Sequence, residues 1–125
     1  MIKLEFLQIK ESPEGFLTYI YAVRGEASVV GEARLRAPGT RSVPEWLGEL
    51  GYEIDEPYRR RGYATAAARA LLNVAKTLGM TEMSLCCNAD NLASIKIAKK
   101  LGFGLQKEIA HPERGTVLKF TPVEK

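Results

Sequence analysis

With 125 residues, the chain is long enough for one domain around a single core and too short for two ordinary ones. Its 46% hydrophobic and 26% charged residues are those of a globular protein, and no apolar run approaches the roughly 18 residues that a membrane span needs. A net charge of +3, with a pI near 8.9, favours anionic ligands mildly but argues against a dedicated nucleic-acid binder, for which a pI above roughly 9 and a clustered basic face are expected.

The opening MIKLEFLQIKE interleaves charge with apolar residues. It has no signal-peptide core, and a cytoplasmic location is expected. Near-alternation from Ile2 to Ile9, a turn at ESPEG, and the aromatic and β-branched run FLTYIYAV predict two strands. SVVGEARLR predicts a third, and APGTRSVPE a loop dense in Gly and Pro. Trp46 to Asp55, WLGELGYEID, reads as a fourth strand, with Leu50, Tyr52 and Ile54 on one face and Glu49, Gly51, Glu53 and Asp55 on the other.

After Gly62 the apolar positions Ala64, Ala67, Ala68, Leu71, Leu72, Ala75 and Leu78 recur at helical spacing, and Gly79 supplies the stop. MSLCCN is a short strand, so a βαβ unit is expected. Its adjacent Cys86 and Cys87 would face opposite ways, which excludes an ordinary disulfide between them and suits a reducing compartment. Asn91 can cap a helix from about Leu92 to Leu101, ended by Gly102, and the tail FGLQKEIAH, PERG, TVLKFTPV is a closing hairpin.

The stretch YRRRGYAT, Tyr58 to Thr65, joins the fourth strand to the long helix. An arginine run of this kind suits a solvated turn, a nucleic-acid patch or an anion site. Free N–H groups at a helix start, beside small residues such as Gly62 and Ala64, make the third reading physically specific. The spacing Arg-x-x-Gly-x-Ala is neither a P-loop nor a dinucleotide fingerprint.

Arg59, Gly62 and Ala64 resemble the Arg/Gln-x-x-Gly-x-Gly/Ala motif by which GNAT-superfamily acyltransferases hold the pyrophosphate of acetyl-CoA. GELGYEIDEPYRRRGYAT also resembles the strand and loop of the ribosomal-protein N-terminal acetyltransferase branch. NLASIKIAKKLGF resembles its Asn-x-x-Ser helix ending in Leu-Gly-Phe. The resemblance covers residues 48 to 104.

It implies an α+β, GNAT-like fold, a mixed and mostly antiparallel sheet of about seven strands with a βαβ acetyl-CoA-binding core and few helices. It also implies acetyl-CoA as cosubstrate and transfer to an amine acceptor, small molecule or protein. Arg60, Arg61, Tyr63 and Thr65 would join the phosphate cradle, mainly through backbone N–H groups, and Asn91 and Ser94 would line the pantetheine arm. N–H groups from Tyr52 to Ile54 would bind the thioester oxygen. Glu49 is the first candidate for general base and Glu53 the second; each is equally readable as a solvent-facing strand residue.

Two departures from the family pattern stand out. Ala98 occupies the position of the family's proton-donating tyrosine, so Ser94 would substitute or the thiolate would leave unassisted. Only ESPEG separates the first two strands, where typical members carry one or two helices, and a homodimer or a large acceptor is the expected consequence. His111 reads as a turn residue, and one histidine with two neighbouring cysteines gives no zinc set. A CoA-binding scaffold without turnover is the alternative reading; a nucleic-acid module ranks last.

Overall fold

The alternation of the first third resolves, in a computed structural model that describes residues 2–123, into an antiparallel meander. Its strands are β1 (Lys3–Glu11), β2 (Leu17–Arg24) and β3 (Val29–Ala37). β1 passes directly into β2 through a turn in which Ser12 Oγ accepts the Phe16 N–H at 3.2 Å. β4 (Leu50–Ile54) continues the meander, α1 (Tyr63–Thr77) crosses over, and β5 (Leu85–Asn88) lies parallel to β4. α2 (Leu92–Lys100) leads to the hairpin of β6 (Phe103–His111) and β7 (Gly115–Pro122). The sheet order is β1-β2-β3-β4-β5-β7-β6.

The fourth strand is shorter than the Trp46–Asp55 expected. The Pro44 carbonyl accepts the N–H groups of Leu47 and Gly48, and Gly48 has a φ of 77°, so Trp46 belongs to a turn. The alternation of WLGEL imitates a strand, but a left-handed residue interrupts it.

Both helices pack on one face of the sheet. Small residues on α1, Ala67, Ala68 and Ala75, bring Leu71 close against Val23, Ala33, Leu35 and Leu50, and these side chains are at most 2% exposed. At the far end of α1 the N–H groups of Gly79 and Met80 bond the carbonyls of Lys76 and Ala75, a Schellman closure around Gly79. α2 adds Ile97 and Ala98 to the same core. By strand alternation the other face carries Arg34 and Arg36 of β3, Gly51 and Glu53 of β4, and Cys86 of β5. Neither α1 nor α2 covers that face.

Candidate functional site

The site begins where β4 and β5 part. The bonds from Arg36 N–H to the Glu49 carbonyl and from Asp55 N–H to the Val30 carbonyl assign the odd-numbered residues of β4 to β3. Leu50, Tyr52 and Ile54 therefore turn their N–H groups toward β5. Leu50 N–H reaches the Ser84 carbonyl at 3.1 Å, but strand pairing stops at Leu50–Leu85. Beyond it the N–H groups of Tyr52 and Ile54 face an opening wedge. Two clefts, of about 680 and 580 Å³, meet there, and Tyr52, Asn91 and Ser94 line both.

The larger cleft runs from the wedge to the start of α1. Gly62 is the N-cap with a φ of 84°, makes no side-chain cap, and accepts the first helical bond from Ala66. The N–H groups of Tyr63, Ala64 and Thr65 are thus left without intrahelical partners and face the positive end of the helix dipole. Arg59 Nε donates to the Ile54 carbonyl at 2.8 Å, which pins the turn to the end of β4. Arg60 adopts a φ of 66°, a strained conformation of the kind that concentrates at functional sites. Lys96 and Lys100 of α2 face the same cleft, whereas Arg61 lies over the Tyr58 ring at 6.0 Å, outside the lining. The cleft suits an elongated polyanion.

At the wedge, Asn91 caps α2 by accepting the Ser94 N–H at 3.1 Å, and the Tyr52 hydroxyl donates to Ser94 Oγ at 3.0 Å. Burial raises the Tyr52 hydroxyl above its ordinary value, partly offset by Ser94, so it keeps its proton at neutral pH. The sequence reading missed this side chain because it weighed Tyr52 only for its backbone. Ser94 lies one helical turn before the fully buried Ala98, so the hydroxyl pair stands on the same side of α2 as Ala98. Burial also pushes the Cys86 thiol up to about 11 and raises Cys87; both are free and neither supplies a thiolate nucleophile at neutral pH.

The smaller cleft opens on the face without helices. Its walls include Trp46, Arg34, Arg36 and Arg114, with Asp90 as the one lining carboxylate. Glu49 is not among them. Its carboxylate accepts the Ser84 hydroxyl at 2.7 Å and faces a separate depression shared with Thr81, Glu82 and Lys119. Glu53 is exposed at the rim of the larger cleft. Glu49 thus lines neither cleft that meets at the wedge, although its charge acts on Arg36 and Cys86 of the smaller one. His111 is the last residue of β6; its Nδ1 accepts the N–H groups of Glu113 and Arg114 at 3.1 Å, and its ring packs on Trp46 at 4.6 Å. No group of three or more His, Cys, Asp or Glu suited to a metal occurs among the described residues.

The profile of the acetyltransferase (GNAT) domain family matches residues 2–104. An uncharacterised N-acetyltransferase, YjdG, of Bacillus subtilis (strain 168) is 30% identical over 109 residues, which are 85% of this chain and 62% of that protein. Among solved structures, the ribosomal L7/L12 α-N-protein acetyltransferase RimL in complex with coenzyme A superposes with a TM-score of 0.69 at 18% identity, covering 85% of this chain and 62% of the other. The microcin C7 self-immunity acetyltransferase MccE, in complex with acetyl-CoA and AMP, gives a TM-score of 0.69 at 16% identity, covering 86% and 61%. The chain thus spans less than two thirds of the length of these relatives, and the likeness to the solved structures concerns the fold.

Proposed function

The chain belongs to the acetyltransferase (GNAT) domain family, and on that basis we propose that it transfers the acetyl group of acetyl-CoA to an amine by direct attack. The observation that carries this reading is the meeting, at Tyr52, Asn91 and Ser94, of a cationic cleft that ends on an uncapped helix start with a second cleft open to acceptors. Tyr63, Ala64 and Thr65 present N–H groups to the pyrophosphate, with Arg59 and Arg60 beside them. Asn91 and Ser94 flank the pantetheine arm. Tyr52 and Ile54 offer N–H groups to the thioester oxygen as it gains charge, the type of stabilisation whose loss typically costs 10²–10³ in rate.

The amine nitrogen bonds to the thioester carbon, the carbon–sulfur bond breaks, and CoA leaves as thiolate. Ser94, its oxygen held by the Tyr52 hydroxyl, donates a hydrogen bond to that sulfur. A thiol near pKa 8.5 needs no full proton transfer from a phenol above 10 to leave. Of the two protons lost by the ammonium group, one ends on CoA and one leaves with base or solvent. Asp90, in the acceptor cleft, joins Glu49 and Glu53 as a third candidate for the carboxylate that takes it. Asp90→Asn lowers kcat/KM most at low pH if so; an unchanged profile removes Asp90 from this role.

Calorimetric titration with acetyl-CoA, CoA and ADP tests the first half. Binding of acetyl-CoA and CoA, lost in Gly62→Trp, supports the cradle; no binding at millimolar ligand sinks it. Mass spectrometry of acetylated product then separates an enzyme from a CoA-binding scaffold.

The proposal extends to a cytoplasmic homodimer or a large acceptor, since the helix-free face leaves the acceptor cleft open on one side. A species sedimenting only at 13.8 kDa and acetylating only small amines contradicts that extension.

A further inference from the structure

We propose that Arg34, Arg36 and Arg114 form an oxyanion subsite in the acceptor cleft, so that the acceptor is an amine carrying a nearby carboxylate or phosphate. The inference rests on the acetyl-transfer reading above and specifies the class of acceptor. Arg34 and Arg36 alternate along β3 and so share the helix-free face; Arg114 arrives from the β6–β7 turn. There its guanidinium lies 4.8 Å over the Trp46 ring, and the Arg114 backbone N–H donates to His111 Nδ1. These two contacts bring a third cation to a place that already holds two.

Arg36 has a structural use. Its Nη1 donates to the carbonyls of Leu47 and Gly48 at 3.4 and 3.2 Å, and its guanidinium lies so close to Gly51 that a Cβ there would stand 2.8 Å from Nη2. Arg34 has no equivalent account. Its Nη1 meets Glu32 at 3.4 Å, while its Nε is buried without a partner among the described residues. The Arg34 side chain is nevertheless 31% exposed, so its outer guanidinium N–H groups stay open to an incoming oxyanion.

Carboxylates around the cluster are few. Glu32 contacts Arg34, Glu49 acts on Arg36 from its own depression, and among the described residues Asp90 is the one carboxylate that lines the cleft. Burial, followed by repulsion from Arg34, pulls Arg36 down to about 10; it remains charged at neutral pH, and an anion would relieve both effects. Guanidinium forks match carboxylate and phosphate oxygens in pairs, which is what a subsite of this kind requires.

The test has two arms. In the first, kcat/KM is measured for matched acceptors: β-alanine against propylamine, and peptides beginning Ser-Asp-Asp against Ser-Lys-Lys. The expected result is a preference of roughly tenfold or more for the acidic member of at least one pair, which also tells small from peptidic acceptors. The preference collapses in Arg34→Gln and Arg114→Gln. Equal or reversed preference overturns the inference while leaving acetyl transfer intact.

The second arm needs no turnover. Trp46 is the only tryptophan and stands in the cleft, so its fluorescence reports titration by glutarate or inorganic phosphate directly. Saturable binding that weakens in both arginine variants supports the subsite even if no amine is acetylated, in which case the acetyl-transfer reading alone fails. No saturation at tens of millimolar overturns it. Arg34→Lys, which keeps the charge and loses the fork, restores part of the binding if the role is electrostatic.

Discussion

The hydroxyls of Tyr52 and Ser94 come together only because β4 and the first turn of α2 face each other across the wedge. A hydrogen bond to a charged group is worth about 1.5–3 kcal/mol, so Ser94→Ala should lower kcat roughly tenfold to a hundredfold with little change in the KM for acetyl-CoA. Tyr52→Phe should act in the same direction because it unfastens Ser94, and the double variant should be little worse than the more severe single one. Steady-state kinetics on the three variants decide this; fully additive losses would show that the two hydroxyls act independently. Cys86 gives a pH prediction. Burial raises its folded pKa to about 11, so the protonated thiol is favoured in the fold. Its contribution to stability is complete below the unfolded value near 8.5 and is lost as pH rises through about 11. Iodoacetamide at pH 9 should modify Cys86 slowly in the folded protein and rapidly in urea, by peptide mass mapping; equal rates would refute the buried thiol.

Helix α1 has glycine at both ends, and the two should behave differently. Gly62 (φ 84°) and Gly79 (φ 76°) both lie in the left-handed region, and a Cβ at either would meet no protein atom within 4 Å. Alanine at each position therefore carries only a conformational penalty of about 1–2 kcal/mol. Thermal melts of Gly62→Ala and Gly79→Ala should fall together, while calorimetry shows CoA affinity lost in Gly62→Ala and kept in Gly79→Ala. Matching losses of affinity would mean that the start of α1 is no cradle. These glycines were readable in the sequence because periodicity of 3.6 residues and its punctuation are local. The meander, the capping of α2 by Asn91 and the closing hairpin were readable for the same reason. The start of β4 was not, since only the backbone turn at Pro44–Gly48 reveals that Trp46 leaves the strand. The arginine cluster escaped as well. Arg34 and Arg36 lie within the third strand, and nothing local in the sequence connects them to Arg114, about eighty positions away.

For the molecule as a whole, the wedge is a seam. Among the described residues, the meander β1 to β4 with α1 and the group β5, β7, β6 with α2 are joined in the sheet by the Leu50–Leu85 pair and a bridge between Gly48 and Leu85, with the helical core holding the rest. A ligand lying in the seam would bond to both sides, to Tyr52 and Ile54 on one strand and to Asn91 and Ser94 beyond the other. Its binding energy would then enter the cooperative stability of the whole fold. At a hundred times Kd the gain is about 2.7 kcal/mol, which for a domain of this size corresponds to a rise of roughly 10 °C in Tm. Hydrogen exchange should locate the effect, with slower exchange at the N–H groups of Tyr52, Ile54, Tyr63, Ala64 and Thr65 and little change along β1. A stabilised protein whose added protection lay elsewhere would place acetyl-CoA outside the seam and would detach the acceptor cleft from the chemistry. Protection confined to Tyr63, Ala64 and Thr65 would mean that the pyrophosphate docks while the thioester does not enter between the strands, which is the behaviour of a CoA-binding scaffold.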